Sequence, residues 1–139
     1  MGQQQLLLIV LGAIIVGLAV VVGINMFGSS AEQANIDAVR SDVLTFASSA
    51  QAFYKKPEML GGGGNSFIDS DGDQVDFTKV NFPADSVNGT YAENANGTYQ
   101  LTVTGTQVTV DARPSSHPTT GDSLIQAQVT AGNISWVTD

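Results

Sequence analysis

The chain has 139 residues, a formal net charge of −8 at pH 7 and no cysteine. That length holds one membrane segment and one small domain, and the missing cysteines exclude disulfides, thiolate metal sites and cysteine nucleophiles. The basic residues Arg40, Lys55, Lys56, Lys79 and Arg113 are scattered and make no phosphate-tracking stripe, so nucleic acid is not an expected partner.

From Leu6 to Ile24 the chain carries no charged or strongly polar side chain. This run of about 19 residues spans roughly 28 Å as a helix, the thickness of a bilayer core. A secretory signal peptide has a basic start, a shorter apolar core and a small-residue cleavage pattern. Here no basic residue precedes Arg40, and the run follows three neutral amides, Gln3, Gln4 and Gln5. Small residues recur as Ala13-xxx-Gly17 and Ala19-xxx-Gly23. That spacing lets helix backbones approach one another, although such residues are also common in membrane helices generally. Gly17 and Gly23 lower helix propensity and mark where the helix can unwind outside lipid.

Ile36, Val39, Val43, Phe46, Ala50 and Phe53 follow at alternating steps of three and four, which puts them on one helical stripe. Asp37, Arg40, Ser41, Thr45 and Ser48 lie off it. Lys55 and Lys56 suit a helix C-terminus, and Pro57 with Gly61 to Gly64 ends the helix. Beyond the glycines, segments rich in β-branched and aromatic residues alternate in polarity, as at Tyr99, Leu101 and Val103, or Ile125, Ala127 and Val129. Asn96-Gly97, Thr104-Gly105 and Ala131-Gly132 divide them as tight turns do. The expected fold is α+β: one long helix, apolar then amphipathic, with its stripe covering the dry face of a small antiparallel sheet. The expected divisions are 1–28 for the apolar helix, 29–56 for its amphipathic continuation, 57–88 for a Gly-rich and acidic connection, and 89–139 for the sheet.

Asp69, Asp71, Asp73 and Asp76 alternate around Gly72. Such carboxylates suit a hard cation such as calcium, and equally a solvated acidic turn; the glycine comes one residue early for an EF-hand and the closing glutamate is missing. Sequons begin at Asn88, Asn96 and Asn133, two of them on Asn-Gly turns that hairpins need anyway. His117 stands alone in a Pro-rich loop and reads as a surface residue. The aromatics Phe27, Phe46, Phe53 and Tyr54 have the spacing of a core stripe rather than of a conducting path. No catalytic constellation or phosphate-cradling glycine motif is present, so no enzyme activity is expected.

The apolar helix led by Gln3 to Gln5, its amphipathic continuation and the antiparallel sheet together resemble a mature type IV pilin or a related pseudopilin of a type II secretion system. The resemblance covers the whole architecture and is most specific in the first thirty residues. It implies that a leader carrying the basic residues is removed by a prepilin peptidase and that Met1 is the first mature residue and is N-methylated. It implies subunits waiting in the inner membrane, inner-membrane assembly machinery as partner, and a self-associated extracellular filament as product. Met1, Gln3, Gln4, Gln5, Ala13, Gly17, Ala19 and Gly23 are then the assembly residues. The family usually carries a glutamate where Gln5 stands; an amide still accepts a hydrogen bond from an ammonium and is easier to bury than a carboxylate. The family's mid-helix proline is absent, and its C-terminal disulfide is impossible here, so Trp136 and its strand are expected to hold the end by packing. A pseudopilin, favoured if calcium is essential, and a monomeric membrane-anchored binding domain are the alternative readings.

Overall fold

The computed structural model describes residues 2–116 and 125–138; Met1 and His117, singled out above, lie outside them. The elements are one helix, α1 (Gly2–Lys55), a short 3-10 turn at Glu58–Leu60, and six strands: β1 (Ser86–Asn88), β2 (Tyr91–Asn94), β3 (Gly97–Val103), β4 (Val108–Pro114), β5 (Ile125–Val129) and β6 (Ile134–Thr138). The fold is the expected α+β arrangement of a long helix on an antiparallel sheet. Two compact units divide the chain, one ending at Ala34 and the other running from Asn35.

From Gly2 to Ala34 the backbone is α-helical, Gly17 and Gly23 included. With no proline before Pro57, nothing removes a hydrogen bond from the helical ladder.

The second unit holds the core. The stripe residues Val39, Val43, Phe46, Ala50 and Phe53 are buried, joined by Ala47, with Ile36 packed at their margin. They cover the inward face of a meander in which each strand pairs with the next in sequence. Period-two alternation gives that face Ala92, Tyr99, Leu101, Val108, Val110, Ala112, Ile125, Ala127 and Val129, all buried.

The helix is not the only cover, contrary to the sequence reading. Phe67, Val75, Phe77, Val80 and Phe82, from the stretch expected to be a mere connection, are buried in the same core. Their rings meet the helix and sheet: Phe46–Phe77 at 5.0 Å, Phe46–Phe82 at 6.4 Å and Phe82–Tyr99 at 5.1 Å between centroids. The sheet also begins earlier than expected, at β1.

The glycine run is a cap built for the end of α1. Gly63 N–H donates to Phe53 O at 2.9 Å, Gly64 N–H to Lys56 O at 2.9 Å and Asn65 N–H to Tyr54 O at 2.7 Å, which satisfies carbonyls the helix leaves open. The approach is so close that a Cβ on Gly63 would lie 1.8 Å from Ser66 O. Gly63→Ala is therefore expected to destabilise the second unit by about 1–3 kcal/mol, measured as a lowered urea midpoint with unchanged slope.

Two expectations about the strands need correction. The β2–β3 loop is Ala95–Asn96 rather than Asn96-Gly97, and Gly97 opens β3, where a Cβ would lie 2.1 Å from Arg113 O. Gly97 thus serves close strand approach instead of turning the chain. Trp136 pairs with Ala127, but remains 39% exposed. The C-terminal strand is held instead by its pairing with β5 and by Gln51 of α1, whose Nε2 donates to Thr130 O at 3.1 Å in the preceding loop.

Candidate assembly and binding surfaces

In the first unit the candidate surface is the apolar part of α1. The best membrane-length window has a mean hydropathy of 3.1, and none of it is buried. Length and composition thus make it a helix that can span a membrane. Gln3, Gln4 and Gln5 lie at its exposed start, in the turns whose backbone N–H groups lack intrahelical partners. Ala13, Gly17, Ala19 and Gly23 lie along the same helix, and a Cβ added at Gly17 or Gly23 meets nothing within 4 Å. Among the described residues no contact requires glycine at either position.

In the second unit the acidic segment forms a tight turn closed by an Ile68–Gln74 bridge. Asp69 Oδ1 accepts the N–H groups of Asp71 at 3.0 Å and Asp73 at 2.8 Å, so this carboxylate caps the turn. Asp76 Oδ1 does the same for the N–H groups of Thr78 at 2.9 Å and Lys79 at 3.0 Å. Asp73 pairs with Lys79 Nζ at 3.5 Å, while Asp71 is exposed. The turn is further anchored by Glu58, which accepts from Ser70 N–H at 2.9 Å and Ser70 Oγ at 2.8 Å. Among the described residues no group of three or more histidine or acidic side chains is placed to hold a metal ion. Capping by Asp69 and Asp76 accounts for half of the carboxylate pattern that suggested calcium.

The three sequon asparagines occupy different environments. Asn88 and Asn133 are exposed, whereas Asn96 is half-buried and its Nδ2 donates to Asp42 Oδ2 at 2.8 Å. A sugar on Asn96 would replace one of the two hydrogens on the nitrogen that makes this bond and would have to fit beside Asp42.

The sequence reading missed Asp42 altogether. Its Oδ2 accepts from Asn94 Nδ2 at 3.0 Å, Asn96 Nδ2 at 2.8 Å and Tyr99 Oη at 2.6 Å, tying α1 to the β2–β3 hairpin. About two turns earlier on the helix, Asn35 donates to Asn96 O at 2.8 Å and accepts from Ser116 N–H at 3.1 Å. A lone acid beside an apolar stripe gives no sequence signal of this role. Burial, and secondarily the hydrogen bond to Asp42 and its charge, push the Tyr99 hydroxyl far above the ordinary tyrosine range. The folded chain therefore holds that proton to higher pH than the unfolded chain does. Its contribution to stability is intact below about pH 10 and falls as the pH rises beyond that. Unfolding midpoints across pH 9–12 are expected to show this alkaline loss, and Tyr99→Phe to flatten it while lowering stability at pH 7 by about 1–3 kcal/mol.

No protein-family model, curated protein or solved structure matches the chain.

Proposed function

We propose that the chain is the structural subunit of an extracellular filament of the type IV pilus kind, held in the inner membrane before assembly and joined to its own copies through the apolar helix afterwards. The observation that carries this reading is the membrane-length apolar surface of α1, entirely unburied, on a helix that extends through the amphipathic stripe packed under the sheet. Leaving each Leu, Ile or Val side chain in water costs about 1.5–3 kcal/mol relative to burial, so this surface needs lipid or other helices around it.

The two environments are similar in kind, so moving from one to the other involves no large change in hydrophobic free energy. Small residues at Ala13, Gly17, Ala19 and Gly23 favour the helical neighbour, because close backbone approach is available there. In a water-poor helix bundle, Gln3, Gln4 and Gln5 supply both donors and acceptors for one another and for a terminal amine. The sheet offers a poorer route to a polymer. Its edge strand β1 has only three residues and the pairing of the other edge, β6, is irregular at Gln126/Ala127, both of which blunt strand addition. Extraction from the membrane falls to assembly machinery, and leader removal to a prepilin peptidase.

The test is electron microscopy of material sheared from cells producing the chain with its leader, with the protein identified by mass spectrometry. Long thin fibres containing the chain are expected. Chain retained wholly in the membrane, with no fibres, would refute the reading in favour of an anchored binding domain.

A further inference from the structure

The face of the sheet turned away from α1 is polar, and strand register assembles a specific set of side chains on it. Tyr91, Gln100, Asp111 and Gln126 are successive partners across β2, β3, β4 and β5. At about 4.8 Å between neighbouring strands, this row extends roughly 14 Å. The adjacent row places Thr98 opposite Arg113. The Tyr91 residue is 40% exposed. Asp111 is oriented by Gln126, whose Nε2 donates to its Oδ1 at 2.7 Å. A depression of about 110 Å³ lies among Tyr91, Thr98, Gln100, Asp111 and Arg113, and a second of about 170 Å³, lined by Glu93, Gly97 and Ser115 among others, shares Thr98 and Arg113 with it.

We propose that these neighbouring depressions bind an uncharged glycan, with a sugar ring against Tyr91 and its hydroxyls shared between Gln100, Asp111 and Arg113. Charge selects this ligand class. Arg113 stands on this face with Asp111 on its own strand and Glu93 two strands away in its row, so the local balance is close to neutral and slightly negative. A polyanion meets two carboxylates, and a polycation meets a guanidinium in the middle of the site. A polyol matches both signs: its hydroxyls donate to the carboxylate and accept from the guanidinium and amide. The aromatic side chain supplies the apolar area that hydroxyl bonding alone does not give in water. The sheet holds every one of these groups on regular strands, so little ordering is needed on binding. The site lies in the second unit and does not depend on the filament reading.

The test is a titration of the full chain in detergent micelles with neutral hexasaccharides (cellohexaose, maltohexaose and mannohexaose), and with a galacturonate hexamer and a chitosan hexamer as charged comparators, followed by calorimetry. Saturable binding of at least one neutral hexasaccharide is expected with a Kd on the order of 0.1–1 mM. Tyr91→Ala and Arg113→Met are each expected to weaken it by about tenfold or more while leaving the unfolding midpoint unchanged, since both side chains are exposed. Should Tyr91→Ala unfold the sheet, Arg113→Met alone decides. No saturable binding of any neutral hexasaccharide at about 10 mM, equal binding by wild type and variants, or preference for either charged hexamer would overturn the proposal.

Discussion

Gly17→Leu is expected to reduce filament yield by at least tenfold while leaving the unfolding midpoint of the second unit unchanged. The reasoning rests on what surrounds Gly17. Among the described residues a side chain there meets open space, and the residue lies in the unit that ends at Ala34, whereas the core residues belong to the other unit. Leucine is also a better helix former than glycine by roughly 0.5–1 kcal/mol. A single chain therefore has no reason to suffer from the change, and a lipid environment accepts another leucine readily. Only a neighbouring helix that approaches the glycine closely is displaced by the larger side chain. Gel quantification of sheared filaments, alongside urea unfolding of the detergent-solubilised chain, separates these effects. Wild-type filament yield would show that no close helix contact involves this position.

The second large effect is expected from Phe46→Ala. Phe46 has no exposed surface and its ring meets Phe77 and Phe82, so it joins α1 to the segment between helix and sheet. Truncation removes the apolar burial and leaves a cavity bordered by the Phe77 and Phe82 rings, which cannot collapse without moving the segment that carries both. The cost is about 3–5 kcal/mol, a large share of the roughly 5–15 kcal/mol that stabilises a domain of this size. The urea midpoint should fall accordingly, and the chain should become sensitive to proteolysis. Leu44→Ala, two residues away on the helix but 43% exposed, is the control and should change stability by only about 0.5 kcal/mol.

These residues also show which parts of the structure were legible in the sequence. The helix and its buried stripe were readable because α1 is long, uninterrupted and periodic, so each stripe residue reinforces the next. The strands were readable for the same reason at period two, although the turn at Ala95–Asn96 was misplaced by one residue. Asn96 ties the hairpin to Asp42 and Gly97 allows close strand approach, and neither takes the positive φ that an Asn-Gly hairpin turn suggests. Phe67, Val75, Phe77, Val80 and Phe82 escaped notice because they sit among Asp, Gly and Ser without any period, and only tertiary packing reveals them as core. Asp42 escaped because its partners, Asn94, Asn96 and Tyr99, are remote in sequence. The acidic turn is ambiguous in sequence: a spacing that suits a cation loop also suits carboxylates that cap their own backbone. The row from Tyr91 to Gln126 is visible only once strand register is known, because each strand contributes a single unremarkable polar position.

The proposed function requires that copies of the chain meet on the apolar helix. The chain has no cysteine, so single cysteines introduced at Ala13, Gly17 or Ala19 report on that contact without background. Oxidation of sheared material, followed by non-reducing electrophoresis, is predicted to give covalent dimers for at least one of these positions. Monomer alone at all three, under conditions where an exposed control cysteine at Met59 reacts fully with a maleimide, would mean that copies do not meet on this helix.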